Sequence, residues 1–356
     1  MMSGFVTIES DNRDHRKLLD GESKDGHWAL PVDSFRYSDG RERTTFRLVE
    51  ANPNKPSFAT RLWVLLRPSL ISMTLGPLFL VLAYGRFLDT PMNFAAFATS
   101  FFGLLFLHIA TFAYNDYFDH LRGIDRYSQD SGSQVIQKGW FRAKVVRRIA
   151  DVSMLGAAVS GLIIFVSQPE LLVLASLMAL AAAFGFSSVR LGLKTLGIGE
   201  MIVFVSLGPG LVYGLSKAVL NHFDISLLFL GLLMGTLSSL VMQVRNWQQI
   251  FVASRFKLGT FVSRLGFDRS KYFIHLHLVL ASAYFGVLIY SDRFAAWAVP
   301  AVIPLGLLVY RFVQQVNETA SPFSSKILNL DRRAVRLHQL MIVTLILVFE
   351  LTMRLK

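Results

Sequence analysis

Runs of mostly apolar residues, each about as long as a bilayer is thick, recur along this chain, and they restrict its fold more than any other feature. In hydrocarbon no water reaches the backbone, so only helices and closed barrels satisfy every N–H and C=O. A helix needs about 20 apolar residues to cross. Nine candidate spans meet that need, near 68–86, 93–114, 149–167, 170–188, 198–219, 225–246, 272–290, 294–312 and 335–353. The expected fold is an all-α integral membrane bundle of about nine transmembrane helices. With 53% hydrophobic residues against 17% charged, an ordinary soluble enzyme is excluded. The third to fifth spans are rich in Ala, Gly and Ser, as in "SLMALAAAFGFSS". Small residues let membrane helices approach closely, so these spans are expected to face the bundle. Cys is absent, which excludes disulfides and thiolate metal sites.

The formal net charge of +12 fits either a nucleic-acid partner or the basic bias of cytoplasmic loops. Its distribution favours the second. Arg122, Arg126, Lys138, Arg142, Lys144, Arg147 and Arg148 follow span two; Arg190 and Lys194 follow span four; Arg255, Lys257, Arg264 and Arg269 follow span six; Lys326, Arg332 and Arg333 follow span eight. The opposite loops are short and nearly uncharged. The expectation is a cytoplasmic N-terminus, a C-terminus on the other side, and chemistry on the cytoplasmic face. Residues 1–58 read as a polar cytoplasmic extension, flexible or loosely packed, with a small folded cap as the alternative. Residues 59–356 form the membrane domain.

The segment "FAYNDYFDHLRGID", Phe112 to Asp125, closes the second span. Asp116 and Asp119, three apart, share one helix face beside Asn115. Such a pair alone reads most simply as a solvated helix end. Next to a membrane span, however, ionisable residues mark a site. Two carboxylates make a weak cation site unless phosphate oxygens complete the shell, as Mg²⁺ prefers. The cations Arg122, Arg126, Lys138, Arg190, Lys194 and Arg245 all belong to cytoplasmic helix ends or loops. Acid, metal and base together hold a diphosphate.

"NDYFDHLRGID" resembles the first aspartate-rich motif of the UbiA family of membrane prenyltransferases. "LRPSL" (66–70) resembles the family's opening motif, and "SQVIQKG" (133–139) the segment after the first motif. "LGLKTLGIGEMIVFVSLGPG" (191–210) is similar to the fifth-helix stretch of members that prenylate 1,4-dihydroxy-2-naphthoate, and "RLG" (264–266) resembles the tail of the second motif. The resemblance covers roughly residues 60–353 and implies transfer of a polyprenyl group from a polyprenyl diphosphate to an aromatic acceptor, with Mg²⁺ as cofactor. It implies Asn115, Asp116 and Asp119 as metal ligands and Asp125 as a further acid. Lys138, Arg190 and Lys194 would neutralise the leaving group. Glu200 would serve as base or hydrogen-bond partner of an acidic phenol, against the simpler reading of a helix N-terminal acid.

The second motif departs from the family pattern. The chain reads "MQVRNWQQIFVASRFKLGTFVSRLG" from Met242, with Asn246 and Ile250 where the two aspartates belong. Gln243 and Arg245 align with a motif Asn and Arg. Arg245 is therefore a candidate catalytic cation, and Asn246 and Gln249 are candidate substrate contacts. Loss of both acids leaves three outcomes: a single metal group at the first motif helped by Arg245, a different substrate, or a non-catalytic isoprenoid- or quinone-binding protein. A transporter ranks last, since mid-membrane charge pairs and a clear inverted repeat are missing from the sequence.

Overall fold

The computed structural model describes residues 4–22, 27–50, 55–127, 132–170, 193, 196–291 and 299–355. These are mostly helical. They separate into two compact units, one drawn from Met1–Pro68 and Leu107–Leu155, the other from Ser69–Phe106, Gly156–Phe186 and Gly192–Lys356.

In the first unit the polar N-terminal residues fold. Strand β1 (Phe5–Glu9), helix α1 (Arg13–Leu19), β2 (Trp28–Arg36) and β3 (Glu42–Val49) give an antiparallel sheet in the order β1-β3-β2. The sequence reading favoured a flexible extension here, and its alternative of a folded cap matches what the described residues form. The sheet is also the non-helical part of a chain otherwise expected to be all-α. The signal was a period of two: Thr44 and Phe46 are buried on β3, with exposed or half-buried neighbours between and beside them. High charge density masked it. Phe46, Ala29 and Leu19 form a small core, with Leu18, Leu48 and Leu121 packed against it. Asn12 caps α1 by accepting from the Asp14 N–H.

The same unit contains α2 (Phe58–Leu66), the later part of α4 (Phe94–Arg122), α5 (Ile124–Tyr127) and the start of α6 (Ala143–Ser167). Leu65, Ala110, Tyr114, Tyr117, Val135, Ile136 and Val146 make its second core.

The second unit is organised on α9 (Ile225–Gln248). Packed against it are α3 (Ile71–Phe87), α7 (Gly199–Leu207), α8 (Pro209–Leu220), α12 (Phe267–Ser291) and α14 (Leu330–Leu355). Between α9 and α12 lie the short helices α10 (Ile250–Arg255) and α11 (Phe261–Leu265), and α13 (Val299–Glu318) precedes α14. The expected single span at 198–219 is two helices broken at Gly208, where Pro209 opens α8. The break lies directly on α9. A Cβ on Gly231 would stand 2.7 Å from Pro209 Cα, and one on Gly235 would stand 3.1 Å from Gly208 Cα, so only glycine permits this approach.

Among the described residues, seven segments are long and apolar enough to cross a membrane: Pro68–Phe87, Phe94–Arg122, Ala143–Val166, Gly199–Leu220, Ile225–Gln248, Phe267–Ser291 and Ser325–Arg354. They match seven of the nine expected spans. The expected span at 170–188 falls almost wholly outside the described residues, and that at 294–312 falls on residues of which 299–312 belong to α13. On α6, Val152, Leu155, Val159, Leu162, Ile163 and Val166 form an exposed apolar stripe at helical spacing. Such a stripe is stable against lipid and not against water. The chain is a multi-pass integral membrane protein.

His15 of α1 is buried beside Phe46 and shares a 3.1 Å hydrogen bond with Thr44 Oγ1. Burial pushes its pKa below the ordinary histidine value; Glu42 opposes that, and Arg126 and Arg16 reinforce it. The unfolded cap therefore takes up protons at a higher pH than the folded one. Cap stability is fully present above the ordinary histidine pKa of about 6.5 and is lost as pH falls from there towards the lowered folded value. Limited proteolysis of the 37–41 turn should thus accelerate from pH 7 to pH 5 in wild type relative to His15→Gln; a constant ratio would contradict the assignment.

Candidate active site

The helix α4 runs on past the expected limit of its span, so Asp116 and Asp119 occupy its last two turns. Gly123 follows, and Asp125 opens the short α5. All three carboxylate residues are buried, at 2%, 6% and 3% exposure. Ionised side chains do not stay buried without partners.

Asp116 has the most completely defined partners. Arg67 forms an ion pair with its Oδ1, with both side chains buried. Ser133 donates to its Oδ2 through its hydroxyl and, at 3.3 Å, through its backbone N–H. Arg67 is placed for this by its backbone. It terminates α2 in the left-handed region (φ 48°), its guanidinium lies 4.9 Å above the Phe112 ring, and His108 Nε2 donates to the neighbouring Leu66 carbonyl at 2.8 Å. Gly132 closes the cluster. Its φ of +68° suits glycine, and a Cβ there would lie 3.1 Å from Asp116 Oδ1, 3.3 Å from Asp125 Oδ1 and 3.4 Å from Arg67 Nη2. Asp116, Asp125 and Arg67 thus converge on one glycine. The sequence reading named Asp116, Asp119 and Asp125; the first and last meet at Gly132, and Asp119 is buried three residues from Asp116 on α4. It missed Arg67, Gly132 and Ser133, although "LRPSL" and "SQVIQKG" were the segments that contained or adjoined them.

Carboxylate and amide oxygens are the donors a hard divalent cation takes, and Asp116, Asp119, Asp125 and the half-buried Asn115 carry them. Among the described residues no three His, Cys, Asp or Glu side chains are closed into a metal shell. Arg67 balances Asp116 instead. The set therefore suits a cation that completes its shell with phosphate oxygens. Lys138 stands apart from the cluster's burial: it is exposed, with its ammonium 4.9 Å over Trp140. Arg190 and Lys194 lie outside the described residues.

In the second unit, Glu200 and Asn246 meet. Asn246 Nδ2 donates to Glu200 Oε1 at 2.8 Å, and Ser239 Oγ donates to the Glu200 carbonyl at 3.2 Å. Glu200 is 7% exposed in the first turn of α7. Asn246 stands where the family pattern expects an aspartate, and its amide touches the carboxylate of another helix. The carboxyl group at this position thus comes from Glu200. At the other degenerate position, Ile250 is buried in the apolar core. Gln243 is fully buried and donates to the Ser270 carbonyl at 3.2 Å, a packing role. Arg245 and Gln249 are half-buried at the end of α9, and the Gln249 N–H donates to the Arg245 carbonyl.

The model of the UbiA prenyltransferase family matches residues 69–330, more than half of the chain, and the chain belongs to this family. It is 26% identical over 157 residues to 1,4-dihydroxy-2-naphthoate octaprenyltransferase of Bacillus subtilis (strain 168), covering 44% of this chain and 50% of that one. The chain thus matches about half the length of this curated relative. Two solved structures share the fold at a TM-score of 0.57: a digeranylgeranylglyceryl phosphate synthase (16% identity, 82% of this chain, 98% of that one) and a UbiA homologue from Archaeoglobus fulgidus bound to DMAPP and Mg²⁺ (12%, 82% and 99%).

Removing one partner of a buried ion pair leaves an uncompensated charge, so Arg67→Ala should cost about 3–5 kcal/mol of stability. Replacing both partners (Arg67→Leu with Asp116→Leu) should cost less. Thermal melts in detergent check the pair; equal losses in the single and double variants would show that the ion pair is not the reason.

Proposed function

We propose that the chain transfers a polyprenyl group from a polyprenyl diphosphate to an aromatic acceptor, a naphthoate-like ring being favoured, in the biosynthesis of a quinone or related prenyl lipid. The observation that carries this is the convergence of two buried carboxylates, Asp116 and Asp125, with Arg67 at Gly132, and a third buried acid, Asp119, three residues from Asp116 on α4, in a member of the UbiA family. We place this helix end, the N-terminus and the basic loops on the cytoplasmic side, on the strength of the charge asymmetry.

Mg²⁺, held by Asp116 and Asp119 with Asn115 beside them, would neutralise the diphosphate and ease its departure. Asp125 shapes the cluster from the far side of Gly132. Arg67, beside Asp116, would be available to bind the diphosphate oxygens in a fork. Lys138, Arg190 and Lys194 would add positive potential. As diphosphate leaves, the allylic carbon becomes cationic and the electron-rich ring attacks it through carbon. The ring carbon then gives its proton to the released diphosphate, which restores aromaticity. Glu200 is assigned to the acceptor: its carboxylate accepts from a phenolic O–H and raises the electron density of the ring. Asn246 orients that carboxylate, and Arg245 and Gln249 supply polar contacts at the same helix end.

The competing reading is a non-catalytic isoprenoid- or quinone-binding protein, favoured by the burial of Ile250 in the core. Mass spectrometry separates the two. Membranes given Mg²⁺, a prenyl diphosphate and a panel of aromatic acceptors should yield a prenylated ring, and Asp116→Asn should abolish it. Binding without any product would favour the competitor.

The Glu200–Asn246 contact gives a second, less intuitive expectation. Asn246→Asp restores the family residue yet sets two carboxylates against each other at hydrogen-bond distance, so turnover should fall by about 10-fold or more. Exchanging the groups, Asn246→Asp with Glu200→Gln, should recover a large part of it. Higher turnover in Asn246→Asp alone would contradict the relocated charge.

A further inference from the structure

Residues 5–49 have no part in the reaction as described, yet their contacts run directly to the aspartate segment. Arg126, next to Asp125, is the centre of those contacts. Its guanidinium donates to Ser34 Oγ of β2, to Glu42 Oε1 of β3 at 3.4 Å, and to the His120 carbonyl of α4 at 3.3 Å. The side chains of Arg126 and Glu42 are 3% and 14% exposed. The guanidinium also packs beneath the turn, 3.4 Å from where a Cβ on Gly123 would be. Two further links fix the same helix end to α1: His120 Nε2 donates to the Leu19 carbonyl at 2.9 Å, and Tyr117 O–H donates to Asp20 at 3.1 Å while accepting from Arg16 at 2.6 Å. Lys144, at the start of α6, reaches back to Glu22.

The arrangement solves an electrostatic problem. Arg126 adjoins the acid cluster in sequence and, without a partner of its own, would turn to those acids and quench them. Glu42 supplies that partner from β3. We propose that the N-terminal sheet is a positioning element of the active site, and that the Glu42–Arg126 pair is its key. It fixes the turn bearing Asp125 and keeps Arg126 off the carboxylates that bind the cation. Arg126 and Glu42 are positioning residues and touch no substrate.

This rests on the metal role assigned to Asp116, and the test keeps the two apart. Mn²⁺ is titrated onto the purified full chain in detergent and followed by electron paramagnetic resonance, with wild type, Glu42→Gln, Arg126→Gln and Asp116→Asn in parallel. Glu42→Gln and Arg126→Gln should weaken Mn²⁺ binding about 10-fold or more, as loss of an outer-shell partner does. The Mg²⁺ concentration for half-maximal turnover should rise in step, with kcat recovered at saturating metal. A merely structural role would lower the active fraction and leave Mn²⁺ affinity unmoved; that result overturns the proposal. If Asp116→Asn binds Mn²⁺ as wild type does, the metal reading falls and this inference falls with it. Should Glu42→Gln fail to fold, Ser34→Ala removes one bond from Arg126 without changing charge, and unchanged Mn²⁺ affinity in that variant is equally contrary.

Discussion

Asp116 and Arg67 form a buried ion pair at a membrane helix end, and much of the surrounding structure exists to make that possible. A buried carboxylate without a counter-ion is costly, and the attraction between the pair offsets this only with good geometry and further hydrogen bonds. Those are present. Ser133 donates from backbone and side chain, Gly132 lets the chain pass close over both groups, and the left-handed Arg67 aims its guanidinium across Phe112. The resulting pair is buried, and its two charges offset each other.

The second motif shows the same economy of charge. Judged by position alone, Asn246 and Ile250 imply that its acids are gone. The contact between Asn246 and Glu200 shows that a carboxylate is still presented there, from α7. Ile250, in contrast, belongs to the apolar core. At one of the two degenerate positions a carboxyl group from another helix meets the asparagine, and the other is packing.

What could be read from the sequence follows from range. Spans are properties of consecutive residues, so seven of them were legible, as was the acid face of α4. The break at Gly208 was partly legible, since "GPG" was in view, but its cause is the approach to Gly231 and Gly235, on another helix. Arg67 is 49 residues from Asp116, and no local period links them. Glu200 and Asn246 are 46 apart, on separate helices. The N-terminal strands were obscured because their alternation is short and their exposed positions are charged; a count of charge reads them as loose, whereas the period of β3 reads them as folded.

The direct test of the account is the structure of the chain with Mn²⁺ and a non-hydrolysable polyprenyl diphosphate analogue, with the metal located by its anomalous scattering. The account predicts a peak about 2.0–2.2 Å from carboxylate oxygens of Asp116 and Asp119, and Arg67 released from Asp116 onto the diphosphate. A metal bound elsewhere, with the Arg67–Asp116 pair intact, would contradict it.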